Sequence, residues 1–365
     1  MTAKTILTYH EKYADYDLGE GHPFRGTRFR YAMNFFQEHG LFDAAKVDIV
    51  TPSPATVQDL LRVHKKEYVD MIFSSAKRRQ PYDVETPLSP EIVEAALLIA
   101  GGGIECGKAV FDHKADRSIS LGGGYHHAGR NHGGGFCIFN DVAILVEYLR
   151  VTYGLKRFLI LDHDVHFGNG TSEIYYADPT VLYISFHQDP YTLYPGTGFI
   201  WQIGEAEGVG YNVNVPLPLG TSDETYLYAM NDVFVPLAEE FKPQIILTNG
   251  GSDPHFADAL GNLGLSVKGF FDISSLARKT AEECCNGRII LIPGSGYNPE
   301  VLPMCWYALV AGIVGLQEID VKEKLRPPEE PVGCRKTVEK TLDELKRLLR
   351  RYWSCFGGFS INTTP

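Results

Sequence analysis

Eight short apolar runs, separated by stretches of helical length, restrict this chain to a small set of folds. The strand-like runs are Ile6–Tyr9, Asp48–Thr51, Ser118–Leu121, Phe158–Asp162, Val181–Phe186, Asn212–Val215, Ile245–Thr248 and Ile289–Ile292. Most are rich in β-branched residues, as expected of strands covered on both faces. Helices are expected over Pro90–Phe111, Asp141–Tyr153, Ser222–Phe241, Ser266–Cys285 and Pro299–Val314, and a first one begins near His22–Arg30. This alternation predicts an α/β chain with a central, mostly parallel eight-stranded sheet and helices on both faces. With 365 residues and 44% hydrophobic content, the chain can bury such a core. Residues 1–320 read as one catalytic-sized domain, without repeat or linker. In 321–365, Arg326-Pro327-Pro328-Glu329-Glu330-Pro331 is a stiff linker. Lys336 to Trp353 follows as an amphipathic helix with Val338, Leu342, Leu345, Leu349 and Trp353 on one stripe. That helix is expected to dock on its own domain, with a homo-oligomer contact as the alternative.

Several strands end in chemistry. Leu159-Ile160-Leu161 runs straight into Asp162-His163-Asp164-Val165-His166, then the turn Gly168-Asn169-Gly170. In extended backbone Asp162, Asp164 and His166 would point to one side. Open α/β sheets bind ligands at the carboxyl ends of their strands. Two carboxylates and an imidazole there suit Zn²⁺ or Fe²⁺; a strand end hydrogen-bonded to itself is the alternative. Leu121-Gly122-Gly123-Gly124-Tyr125-His126-His127 has neither a P-loop ending nor GxGxxG spacing. Its vicinal imidazoles suit proton transfer. Ser185 closes another strand, Gly251-Ser252-Asp253 follows Thr248-Asn249, and Gly296-Tyr297-Asn298 follows Pro293. Gly135-Phe136 and Tyr194 sit on loops and could wall a narrow channel. Arg25, Arg28 and Arg30 are solvent-exposed by default, Asp83 is a turn residue, His132 is solvated, and Asp258 and His255 need only loop hydrogen bonds.

Composition narrows the partners. Lys+Arg 34 against Asp+Glu 45 gives a net charge of −11, which disfavours direct nucleic-acid binding. Seven scattered cysteines without C-x-x-C pairs argue against a secreted disulfide framework. No long apolar region follows Met1-Thr2-Ala3-Lys4, and Met304 to Leu316 is short for a bilayer span. A cytoplasmic protein that does not enter membranes is expected.

Together these motifs resemble the histone deacetylase family, which includes acetoin utilisation proteins and acetylpolyamine amidohydrolases. The resemblance runs from about His10 to Leu316 and rests on five separated motifs: Tyr125-His126-His127-Ala128, Gly135-Phe136-Cys137, Asp162-x-Asp164-x-His166, Gly251-x-Asp253 and Gly296-Tyr297-Asn298. It implies an arginase-like fold and a zinc-dependent amide hydrolase, with Fe²⁺ as a second possibility. By resemblance Asp164, His166 and Asp253 bind the metal, His126 and His127 are the proton-handling pair, and Tyr297 stabilises the oxyanion. Asp162 would orient His126 and, with Ser185, help hold a structural K⁺. Asn169, where one branch of the family has Asp, should leave His127 less basic. Asp83, Gly135, Phe136, Tyr194 and Leu260 would line the substrate tunnel, and Arg28 its inner channel. Tyr194 stands where Phe is usual, adding a hydroxyl beside the lysine stem.

The resemblance implies removal of acetyl or a similar short acyl group from an acetylated lysine peptide or protein. An acetylpolyamine or other acylated amine is the alternative substrate. Leu260 occupies the position where polyamine deacetylases of the nearest branch carry a charge-pairing glutamate, which favours a peptide. A ureohydrolase would want more bridging carboxylates, and a non-catalytic acetyl-lysine-binding protein would have no use for Tyr297 or His127.

Overall fold

The structure is a computed structural model that describes residues 4–45 and 47–357. Residues 1–3, named above for the amino terminus, and 358–365 of the carboxyl-terminal segment lie outside the described residues. The eight expected strands are all present: β1 (Thr5–Thr8), β2 (Val47–Val50), β3 (Arg117–Ser120), β4 (Phe158–Asp162), β5 (Val181–Gln188), β6 (Asn212–Leu217), β7 (Ile245–Gly250) and β8 (Ile289–Pro293). They form one sheet in the order β2-β1-β3-β8-β7-β4-β5-β6. Every ladder is parallel, so "mostly parallel" sharpens to wholly parallel. All residues of β4, β7 and β8 are buried. That is the physical reason their sequences are continuous apolar runs rather than alternations.

The helices start where capping residues stop the chain from extending. Ser89 accepts from the Ile92 amide ahead of Pro90–Phe111, and Asn140 from the Ala143 amide ahead of Asp141–Tyr153. Helices Asp223–Phe241, Val267–Cys285 and Leu302–Val314 follow the expected segments closely. Lys66–Lys77 is an additional helix, with Tyr68, Val69, Ile72 and Ala76 on its buried face.

Strand order sets the site. Strands β7 and β8 are inserted between β3 and β4, so β3, β8, β7 and β4 are neighbours. The four motif-bearing loops leave the carboxyl ends of those four adjacent strands, where connections diverge to opposite sides of the sheet.

The carboxyl-terminal helix spans Cys334–Leu349, and its stripe Val338, Leu342, Leu345 and Leu349 is buried, as is Trp353 beyond it. Trp353 donates its indole N–H to the Gly210 carbonyl at 2.7 Å, and Lys346 pairs with Asp232 on helix Asp223–Phe241. The stripe therefore faces its own chain. Replacing the fully buried Leu345 with Ala should lower the unfolding free energy by roughly 2–5 kcal/mol. Urea denaturation checks this; a change well under 1 kcal/mol would mean the helix is not part of the cooperative unit.

Candidate active site

Strand β4 ends at Asp162, and the backbone turns immediately beyond it. The extended run that would have put Asp162 beside Asp164 and His166 therefore does not continue, and Asp162 points elsewhere. Its Oδ2 lies 2.8 Å from His126 Nδ1 and accepts from the Tyr183 hydroxyl at 2.8 Å. The place it vacates is filled by Asp253, from the loop that follows β7. His166 Nδ1 sits 3.1 Å from Asp164 Oδ1 and 3.2 Å from Asp253 Oδ2. One ligand atom from each of Asp164, His166 and Asp253 lies within 4.8 Å of the others, and all three residues are buried.

The donor set fits a divalent cation. Burial pushes the Asp253 carboxyl up to about 7, with the Asp164 charge adding to it. Burial works against charge on Asp164 too, but His126 and His166 outweigh it and hold Asp164 well below the usual carboxylate range. Two buried carboxylates side by side call for positive charge between them. The Ser295 hydroxyl donates to Asp253 Oδ1 at 2.8 Å, and the His166 amide donates to Asp164 Oδ1 at 2.8 Å, fixing both acids.

His126 and His127 face this cluster from the loop after β3, their Nε2 atoms 3.1 Å apart. Burial works against charge on His126, but Asp162 and Asp164 outweigh it and raise its pKa to about 9. His127 goes the other way. Burial, then the charges of His126 and His166, hold it well below the usual imidazole range. Its Nδ1 lies 2.7 Å from Asn169 Oδ1, so Nδ1 carries the proton and Nε2 is left as the basic atom. The two histidines are thus set to different protonation states.

Backbone packs against these rings without side chains to spare. A Cβ on Gly168 would come within 2.5 Å of Asp162 Oδ2, and one on Gly135 within 2.2 Å of the His127 ring. Gly135 also has φ of +48°, which a side chain would oppose. Asp141, fully buried, accepts from the amides of Gly124 and Tyr125 and so folds the triple-glycine loop.

Tyr297 closes the pocket from the β8 loop. Its ring lies 6.4 Å from His166 and 5.9 Å from Phe136, and burial raises its pKa well above that of a free phenol. It is a neutral hydrogen-bond donor at any ordinary pH. Asp258, expected to serve only its own loop, accepts from the Tyr297 amide at 2.7 Å and the Asn298 amide at 3.2 Å.

The remaining expected residues divide. Arg28 is buried, not exposed as its default reading had it. Its NH1 donates to the Gly294 carbonyl at 3.2 Å, and its guanidinium sits 3.7 Å over the Phe24 ring and 5.4 Å from that of Tyr297. The family resemblance, which puts Arg28 in the inner channel, is the signal in the sequence that points inward. Arg30 is exposed, and Arg25 pairs with Asp17. His132 is not merely solvated, since it bonds Glu173 at 2.7 Å. Phe136 flanks Tyr297, whereas Tyr194 lies edge-on to His127 at 5.1 Å and 6.5 Å from His166, half-exposed. Asp83 is exposed and accepts from the Glu85 amide; Leu260 is half-buried. Asp83, Tyr194 and Leu260 stand outside the lining of the inner pocket, which includes Gly135, Phe136 and Tyr297. Ser185 is paired in register with Asp162, and its hydroxyl is 2.8 Å from His187 Nδ1.

Known proteins resemble this chain in sequence and in fold. The histone deacetylase domain signature matches residues 22–313. A probable deacetylase of Archaeoglobus fulgidus is 34% identical over 96% of this chain and 99% of its own length. The acetoin utilization protein AcuC of Bacillus subtilis is 31% identical over 83% of this chain and 80% of its own. A crystal structure of the HDA15 HD domain superposes with a TM-score of 0.85 at 26% identity, covering 98% of this chain and 97% of that one. On these matches and the site they surround, the chain belongs to the histone deacetylase family.

Proposed function

We propose that this protein is a metal-dependent amide hydrolase that removes acetyl, or a similar short acyl group, from lysine side chains of proteins or peptides. The observation that carries the reading is the convergence on one pocket of His126, His127 and Tyr297 beside the carboxylate–imidazole triad. The name of the archaeal relative, a probable deacetylase, supports it. We assign the triad to Zn²⁺, with Fe²⁺ the alternative, because three protein ligands of this type leave positions open for water and substrate. By resemblance, Asp162 and Ser185, neighbours in the β4–β5 ladder, would help hold a structural K⁺. Seven unpaired cysteines support a cytoplasmic setting, and no helix among the described residues is long and apolar enough to cross a membrane.

A bound divalent ion would supply Lewis acidity, polarising the amide carbonyl and acidifying the attacking water. His127 is neutral, and its Nε2 takes the proton of that water while Asn169 holds the other ring nitrogen. His126 keeps its charge beside Asp162 and stabilises negative charge next to His127. The Tyr297 hydroxyl donates to the oxyanion. His127 then returns its proton to the departing amine. Parallel assays on acetyl-lysine peptides, acetylpolyamines and small acyl amides test the reading; inactivity on every acylated amine would defeat it.

Peptides should be preferred over acetylspermidine or acetylputrescine. The loop after Asp253 carries Leu260, half-buried and outside the inner lining, and an apolar side chain there gives the far ammonium of a polyamine no charge to pair with. Asp83, exposed on a separate loop, is better suited to accept peptide amides. The check is kcat/KM for matched substrates on wild type and Leu260→Glu. Glutamate should shift the ratio toward the polyamine; an unmoved ratio, or a wild type already favouring polyamines, would contradict the assignment.

A further inference from the structure

The segment between the family-matched region and the carboxyl-terminal helix looks like a passive linker, since most of residues 317–331 are exposed. Two of its acidic side chains nevertheless turn inward. Glu330 accepts from the hydroxyls of Ser222 at 2.6 Å and Thr225 at 2.8 Å. Glu323 reaches further into the domain. Its Oε1 is 2.8 Å from His255 Nε2, and its Oε2 accepts from the Val267 amide at 3.2 Å, at the start of helix Val267–Cys285.

His255 is almost fully buried, with its ring stacked on Phe256 at 4.3 Å. Its Nδ1 accepts from the Ala257 amide at 3.1 Å, which places the ring proton on Nε2 and makes His255 the donor to Glu323. The backbone around His255 is equally committed. Its amide donates to the Ser252 carbonyl at 3.0 Å, beside Asp253, and its carbonyl accepts from the Asp258 amide at 2.9 Å. Asp258 in turn accepts from the amides of Tyr297 and Asn298, and the Asn298 side chain donates to the Ala257 carbonyl at 2.6 Å. An unbroken series of hydrogen bonds therefore runs from Glu323, through His255, to the loop bearing Asp253 and to the backbone of Tyr297.

We propose that Glu323 is a positioning residue for the active site: by holding His255 it fixes the 253–261 loop in the setting where Asp253 meets Asp164 and His166 and Asp258 anchors Tyr297. Without Glu323 the buried His255 N–H has no partner, and a buried donor is satisfied only if the ring or its loop shifts toward water. A shift there moves a metal ligand and the oxyanion donor together. Residues that hydrogen-bond a metal ligand typically matter by about one to two powers of ten, and Glu323, one contact further out, should fall at the lower end.

The kinetic part of the test rests on the deacetylase reading, so zinc release is measured separately, without substrate. Glu323→Ala should lose zinc to a chelator about tenfold faster than wild type, and lower kcat on an acetyl-lysine peptide about tenfold with KM within about threefold. Glu323→Gln, which keeps an oxygen for His255, should restore both to within about threefold of wild type. Glu323→Asp, with its carboxylate drawn back by one methylene, should fall between the two and reads the same contact if the alanine variant does not fold. Glu330→Ala frees the segment at its other anchor and should match wild type in both measurements. Unchanged zinc release and kcat in Glu323→Ala would overturn the proposal. So would equal losses in Glu330→Ala, since general loosening of the segment would then suffice. A wild type that binds zinc but deacetylates nothing would defeat the proposed function and leave the zinc-release comparison standing.

Discussion

Tyr297→Phe should cut turnover by roughly two to three powers of ten while leaving KM for an acetyl-lysine peptide nearly unchanged. The substitution removes one hydroxyl and keeps the ring, so the contacts with Phe136 at 5.9 Å and the Arg28 guanidinium at 5.4 Å survive. The backbone anchor survives as well, because Asp258 holds the amide of residue 297 and not its side chain. What is lost is a single donor aimed at charge that develops only as the amide is attacked. A group of that kind lowers kcat and kcat/KM together when removed. Burial keeps the phenol protonated, so the effect should persist across the whole pH range in which the enzyme is active. Steady-state kinetics decide the matter. Near-normal kcat with a raised KM would make Tyr297 a substrate-binding residue instead.

The fold was legible because its signal is physical and local. A strand buried on both faces has nowhere to put a polar side chain, so Leu159-Ile160-Leu161 and Ile289-Ile290-Leu291-Ile292 read as strands without context. The abruptness with which those runs end in Asp, His or Gly-Tyr marked the site by the same logic. Side-chain direction past a strand end was not legible. Asp162 stands one step of alternation from Asp164, yet β4 stops at Asp162 and the two carboxylates serve different partners. Carboxylates whose partners are backbone amides were also missed. Asp258 binds an amide 39 residues away, and amides have no sequence signature. Residue type alone read Arg28 as exposed for a related reason, although the resemblance put it in the inner channel; carbonyls from Pro23, Arg25 and Gly294 surround its guanidinium. A charged residue in a loop-helix junction is exposed by default. Only the tertiary structure shows that three carbonyl oxygens have been brought together to receive it.

Asp253→Ala should abolish stoichiometric metal binding and lower activity by about three powers of ten or more. The triad has only three donors, so losing one leaves Asp164 and His166, a pair too few to hold zinc against a chelator. Lewis-acid stabilisation of the transition state is worth several kcal/mol, and each 1.36 kcal/mol is about tenfold in rate. Elemental analysis of wild type should find about one divalent ion per chain, and of the variant almost none. A ureohydrolase-like two-metal site would instead give about two ions in wild type. Ser295→Ala supplies the graded control. The Ser295 hydroxyl donates to Asp253 Oδ1 at 2.8 Å and is not one of the three clustered donors, so its loss should weaken metal affinity by about ten- to a hundredfold. The ordering wild type, then Ser295→Ala, then Asp253→Ala follows from a ligand and the residue that orients it. Equal metal content in all three would show that the ion, if any, is held elsewhere. The convergence of Asp164, His166 and Asp253 would then be an acid–imidazole cluster satisfied by its own protons.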